Sequence, residues 1–198
     1  VNYGSAPSDY STDVVANKAG KFLETTQEPF FLYVAPYTPH GPFIPAPRHI
    51  GAYANRTMPR FPNFNEADVS DKPAWVRNLT LTDPNLEDGN RRSQHEMLLS
   101  VDEMVEKIVA TVGAKGILDR TVIIYMTDNG YSHGEHRYRQ KLCEYEECIR
   151  TPLKIRYPFS QSKTLDALVQ NIDIAPTLAD FVGIPFNTAD GLSILPLL

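Results

Sequence analysis

Residues 122–130 read Val-Ile-Ile-Tyr-Met-Thr-Asp-Asn-Gly, an apolar, β-branched run that ends abruptly in a carboxylate, an amide and a glycine. Such a run predicts a buried strand over 121–127 that delivers oxygen ligands at its carboxyl end, where open α/β sheets build their sites. Asp128 offers a carboxylate and Asn129 a carbonyl oxygen, a hard pair suited to Ca²⁺ or Mg²⁺. Gly130 is expected to let the backbone turn sharply behind them. A plain turn would use the same three residues, so the segments around them decide what the motif means.

A second apolar run, Pro-Phe-Phe-Leu-Tyr-Val-Ala over 29–35, predicts another buried strand, and it empties into Pro36-Tyr-Thr-Pro-His-Gly-Pro. Three prolines in seven residues permit neither helix nor ladder and make a stiff loop that presents His40. Residues 41–90 hold seven prolines and little periodicity, as in a lid or binding surface. Apolar residues at helical spacing predict helices over 11–24, with Ser11 as N-cap, and from Arg92 to Gly113. A further strand is expected over 153–157. A short helix should follow, capped by Asp173, with Pro176 in its first turn and Gly183 as its stop. The alternation of strands and helices makes the class α/β with a largely parallel sheet flanked by helices.

Charge and length exclude some functions. The net charge of −5 and the lack of a basic cluster argue against nucleic acid as partner. No apolar run approaches about 18 residues, so no membrane span is expected. Cys143 and Cys148 lie five apart. A local disulfide is open to them, but free thiols are the default expectation. The sequons at Asn55 and Asn78 are no more than chance supplies. His133 and His136 could chelate zinc, yet a third clear ligand is missing. A chain that begins at Val1 reads as a mature or excised piece.

Taken together, an oxygen-ligated cation, a lysine and a histidine would bind a tetrahedral oxyanion. Cation and lysine would neutralise its charge while histidine donates to a bridging or leaving oxygen, as sulfuryl or phosphoryl transfer requires.

The chain resembles the sulfatases of the alkaline-phosphatase superfamily over nearly its whole length. The resemblance rests on Tyr10-Ser-Thr-Asp-Val-Val, Pro29-Phe-Phe-Leu-Tyr-Val-Ala-Pro-Tyr-Thr-Pro-His-Gly-Pro and Arg92-Ser-Gln-His-Glu-Met-Leu-Leu-Ser-Val-Asp-Glu-Met-Val. It continues through Thr127-Asp-Asn-Gly-Tyr, Gly134-Glu-His, Tyr145-Glu-Glu-Cys-Ile-Arg-Thr-Pro-Leu, Asp173-Ile-Ala-Pro-Thr-Leu and Asp190-Gly-Leu-Ser-Ile-Leu-Pro-Leu-Leu. Within the family, Pro39-His-Gly-Pro-Phe-Ile-Pro-Ala-Pro-Arg48 and Asp71-Lys-Pro-Ala-Trp-Val-Arg77 are most similar to N-acetylglucosamine-6-sulfatase-type enzymes.

That resemblance implies an alkaline-phosphatase-like domain of which residues 1–198 form the second half. It implies a parent enzyme, a sulfuric ester hydrolase, acting on a sulfated carbohydrate such as a glycosaminoglycan. It also implies that Asp128 and Asn129 are ligands to a metal, Ca²⁺ with Mg²⁺ as the alternative, and that His40 and Lys141 are catalytic contacts to the sulfate ester. His136 is expected to help bind substrate. The formylglycine nucleophile of such enzymes arises in a Cys/Ser-x-Pro-x-Arg motif, which these residues lack. The nucleophile is therefore expected from the remainder of the parent chain, and residues 1–198 alone should be inactive. A secreted, periplasmic or lysosomal setting is implied. Two alternatives remain at this point: a phosphodiesterase or phosphonate hydrolase of the same superfamily, and an inert carbohydrate- or metal-binding module.

Overall fold

The computed structural model describes residues 3–198; Val1 and Asn2, at the head of the expected 1–198 span, lie outside the described residues. The chain divides into two units, one built from the residues up to 119 together with 129–150, the other from 120–128 and 151–198.

The first unit is organised on two packed helices, α1 (Ser11–Thr25) and α3 (Pro84–Ala114). The α1 face that packs is small: Thr12, Ala16, Ala19, Gly20 and Leu23 are its buried residues. A Cβ on Gly20 would stand 3.0 Å from Lys107 Cε, so the glycine leaves room for the lysine stem that lies across it. Ser11 proves to be the first helical residue, not the cap; Tyr10 takes that position without a side-chain bond. Helix α3 starts eight residues before the expected Arg92. Asp83 caps it, accepting from the N–H groups of Asn85 (2.9 Å) and Leu86 (3.4 Å), and Pro84 follows in the first turn. An acid followed by proline is an ordinary start signal that the reading from periodicity missed.

Residues 29–35 run extended but join no ladder among the described residues. Phe30, Leu32 and Val34 pack against the α1–α3 core, while Phe31 and Tyr33 are 69% and 80% exposed. The expected buried strand is thus a one-faced extended segment. The proline-rich excursion that follows, which includes α2 (Ala74–Arg77), is ordered by polar contacts to helices. Arg48 binds Asp13 at 2.7 Å and also Glu103, and buried Glu96 accepts from the N–H groups of Gly51 (3.0 Å) and Tyr53 (3.1 Å). Asn65 exchanges two bonds with the Thr82 backbone, at 2.9 and 2.8 Å. A small antiparallel hairpin, β2 (Ser132–His133) with β3 (Arg139–Gln140), and α4 (Glu146–Ile149) complete this unit.

In the second unit β1 (Ile123–Met126) pairs with β4 (Leu153–Arg156), in register Ile124 to Ile155. Helix α5 (Ile174–Phe181) follows and ends at Gly183, whose φ of +68° suits a helix stop. Asp173 occupies the cap position, yet its carboxylate accepts from Gln170 and Leu192 N–H, each at 2.8 Å.

The α/β class holds, with a correction to the sheet. Both ladders among the described residues are antiparallel, where a largely parallel sheet was expected. The reason lies in the connection. Parallel neighbours need a crossover of a dozen or more residues, usually a helix, to return the chain to the same end. Between β1 and β4 the chain forms only a two-residue ladder and the four-residue α4. β1 is also half-buried rather than buried, with Tyr125 38% exposed.

Candidate active site

The turn of residues 127–130 follows β1 directly. Asp128, in the second unit, is exposed; Thr127 Oγ1 donates to its Oδ1 at 3.3 Å, and its backbone carbonyl accepts from Asn171 Nδ2 at 3.1 Å. Asn129, which opens the first unit's second segment, donates from Nδ2 to the Gly130 carbonyl at 2.8 Å. That bond fixes which way the amide faces and turns its acceptor oxygen to the opposite side. A carboxylate and an amide oxygen are each, by their chemistry, donors of the kind a hard divalent cation takes. Among the described residues no group of three or more His, Cys, Asp or Glu side chains is placed to hold a metal.

Gly130 is required here, though not by its φ angle, which is not positive. A Cβ on it would lie 2.2 Å from the Glu147 carbonyl oxygen, and its N–H donates to the Cys148 carbonyl at 2.8 Å. The expected sharp turn is instead a close backbone approach.

His40 stands exposed in its loop, between two cis X-Pro bonds, Thr38–Pro39 and Gly41–Pro42. Its Nδ1 lies 2.8 Å from the Gly41 carbonyl, and its ring packs on Tyr37 at 4.8 Å. A carbonyl only accepts, so Nδ1 carries the proton, and Nε2 is the nitrogen left to meet substrate. To donate through Nε2 the ring must be the imidazolium. The loop is tied to α1 by a buried hydroxyl pair, Thr12 to Thr38, at 2.7 Å.

Lys141 and His136 share the hairpin segment that follows Gly130. Lys141 is partly buried; its carbonyl accepts from Tyr138 Oη at 2.8 Å, and no carboxylate among the described residues lies within ion-pair distance of its ammonium. An unpaired lysine of this kind suits an anionic ligand. His136 has partners on both ring nitrogens and on its face. Its Nδ1 donates to Glu66 at 2.6 Å, its Nε2 lies 3.2 Å from Asn63 Nδ2, and its ring stacks on Tyr145 at 4.1 Å. Both ring nitrogens are therefore engaged within the protein. His133 turns to a different carboxylate, Glu87, at 2.6 Å, so the two histidines do not form a zinc pair.

The backbone here is strained. Of the five non-glycine residues with positive φ among those described, four lie in seven positions: His136, Arg137, Gln140 and Leu142, at +52°, +63°, +87° and +74°. Each such residue costs on the order of 1–3 kcal/mol and persists only where its surroundings over-determine it. Such strain concentrates at functional sites, and here it brackets Lys141 on both sides.

Two carboxylates beneath this segment were not foreseen. Burial alone would raise the Glu87 carboxyl, which is 1% exposed, but His133 and Arg139 (3.0 Å) outweigh it and hold the group below the ordinary glutamate value. Glu66 is also lowered, chiefly by its bond from His136 and further by Lys72. Neither residue carries a local signal; both lie in stretches without periodicity and find partners 46 and 70 residues away. The expectation of free thiols was wrong. Cys143 and Cys148 form a disulfide, their Cα atoms 5.6 Å apart because the turn into α4 folds the chain back on itself.

The sulfatase family model matches residues 2–184. The chain belongs to the sulfatase family. It is 37% identical over 202 residues to N-acetylglucosamine-6-sulfatase of Homo sapiens, covering 96% of this chain and 36% of that protein. It is 36% identical over 214 residues to an arylsulfatase of Volvox carteri, covering 89% of this chain and 32% of that one. The chain thus spans about a third of the length of these curated relatives. Among solved structures it superposes with a TM-score of 0.80 and 26% identity on a protein in complex with its substrate D-glucosamine-2-N,6-O-disulfate, covering 96% of this chain and 52% of that one. A phosphonate monoester hydrolase of Agrobacterium radiobacter shares the fold, with a TM-score of 0.86 at 22% identity over 98% of this chain and 43% of that one. The fold is that of the alkaline-phosphatase-like sulfatases.

Proposed function

We propose that the parent protein hydrolyses sulfate esters of a sulfated sugar, of the 6-O-sulfated glucosamine type found in glycosaminoglycans, and that residues 1–198 are the second half of its catalytic domain. The observation that carries this reading is the 37% identity over 202 residues to a named N-acetylglucosamine-6-sulfatase. The neighbour solved with D-glucosamine-2-N,6-O-disulfate supports the same substrate class.

Asp128 and Asn129 would hold a divalent cation, Ca²⁺ in the first instance, which when bound neutralises charge on the sulfate oxygens. Lys141, with no carboxylate partner among the described residues, binds a further sulfate oxygen. His40, its Nδ1–H fixed on the Gly41 carbonyl, delivers the Nε2 proton of its imidazolium to the leaving sugar oxygen. The net reaction converts the ester and water into the alcohol and hydrogen sulfate. The nucleophile is supplied outside these residues, because neither cysteine has Pro two positions on and Arg four positions on. Both cysteines are joined in a disulfide as well, so residues 1–198 are expected to show no turnover by themselves.

An oxidising compartment, secreted, periplasmic or lysosomal, fits a structural disulfide. One relative is named an extracellular sulfatase homolog, from Drosophila melanogaster (34% identical, 96% of this chain and 18% of that protein). Among the described residues no helix is long and apolar enough to cross a membrane.

The test is to assay the full-length protein on 6-O-sulfated glucosamine, an aryl sulfate and a phosphonate monoester, with Ca²⁺ or Mg²⁺ and after chelation. Preference for the sulfated sugar is expected. A clear preference for the phosphonate ester would replace this reading with that of the second structural neighbour, and no turnover on any of the three would favour an inert binding module.

A further inference from the structure

The segment that carries Lys141 is poorly held by packing. Leu142, next to it, is 90% exposed and sits at φ +74°, so no apolar contact compensates for its backbone conformation. Gln140, on the other side, is exposed and sits at φ +87°. Left to local preferences, both residues would relax to negative φ and swing the lysine away.

Upstream, the segment is anchored by the β2–β3 ladder, which pairs Gln140 with Ser132, and by the Tyr138 hydroxyl on the Lys141 carbonyl. Downstream no ladder or helix follows until Glu146. What does follow, two residues after Lys141, is Cys143, buried and covalently joined to Cys148, which is 5% exposed. The Cys148 sulfur also touches the Gln140 carbonyl at 3.6 Å; in a disulfide it has no proton to donate, so this is a packing contact.

Cys148 is in turn fixed to the other functional turn. Its carbonyl accepts the Gly130 N–H at 2.8 Å, and Gly130 packs so tightly on residues 147–148 that it has no room for a side chain. The disulfide therefore links the lysine-bearing arch to the backbone that grips the residue after Asn129.

We propose that the Cys143–Cys148 disulfide is a positioning element for the sulfate-binding lysine: it holds Lys141 in its strained arch and sets the arch's register against the Asn129–Gly130 turn. The proposal rests on the role given to Lys141 above. The cysteines touch no substrate and act only through that side chain.

Full-length enzyme carrying Cys143→Ser with Cys148→Ser, and wild-type enzyme reduced with a phosphine, should show faster amide exchange at Gly130, Gln140 and Leu142, with α1 and α3 unchanged. Turnover of the sulfated sugar should fall roughly 10- to 100-fold, the scale on which a misplaced group about 1 Å off costs rate. In a Lys141→Ala background the same changes should cost less than about twofold, because the group being positioned is gone. An equal loss in both backgrounds would show the bridge acting on the fold at large and overturn the proposal. So would unchanged exchange at the three amides, or global unfolding on reduction. If Lys141→Ala by itself leaves turnover intact, the role given to Lys141 fails first and the positioning proposal falls with it. If Lys141→Ala is impaired but the serine pair is not, the positioning proposal alone fails.

Discussion

The loop that presents His40 and the arch that presents Lys141 solve one problem in opposite ways. Residues 36–42 are stiffened from within: three prolines fix the backbone, Tyr37 supports the histidine ring, and a buried hydroxyl pair, Thr12 to Thr38, docks the loop. Residues 131–148 contain no proline. Outside partners, Asn63, Glu66 and Glu87, hold them, and the short ladder and the disulfide only cross-link the segment to itself. A proline-stiffened loop keeps its shape with few partners. A loop that contains four left-handed non-glycine residues keeps it only while its partners stay in place.

That contrast can be broken at several points in the full-length protein. The largest effect is expected at the turn of residues 127–130. Asp128→Ala removes the charged member of the proposed metal pair, so bound Ca²⁺ and turnover should fall together, turnover by roughly 1,000-fold or more, and excess Ca²⁺ should restore part of both. Metal analysis alongside kinetics checks this; loss of turnover at full metal occupancy would count against the ligand role.

His40→Ala comes next, with a drop of about 100- to 1,000-fold in kcat and an unchanged melting temperature, because the prolines and not the imidazole hold the loop. A lowered melting temperature with near-normal kcat would make His40 a structural residue. Gly130→Ala probes the other loop. Its methyl would collide with the Glu147 carbonyl, so a loss of about 1–3 kcal/mol in a denaturant titration is expected, with reduced turnover as the arch shifts.

Acid should separate the loops more gently. Glu66 and Glu87 are both held below 4.5, the ordinary glutamate value. Their contribution is complete above that pH and is lost as pH falls through their lowered folded-state values. Melting temperature should therefore drop by about 3–5 °C beyond the general acid trend on going below pH 4.5, and Glu66→Gln should blunt the drop. A pH profile identical in wild type and Glu66→Gln would remove that carboxylate from the account. The smallest effect is expected from Thr12→Val, which deletes one hydroxyl of the buried pair and should cost about 1 kcal/mol with little change in kcat.

The amino-acid sequence alone determined the helices α1 and α3, the strand at β1, the helix before Gly183 and the proline loop around His40. Each is written in residues within a few positions of one another, through periodicity, β-branching or proline. The residues in the family-like motifs were legible for the same reason, as short stretches of sequence. Strand direction was decided by the tertiary structure, since it depends on which end the chain re-enters after β1 and not on the composition of either strand. The disulfide, the close approach at Gly130 and the carboxylates under His133 and His136 were also tertiary decisions. Those contacts join residues up to 84 positions apart, and nothing in the neighbourhood of Asn63, Glu66 or Glu87 says which partner the folded chain will bring to them.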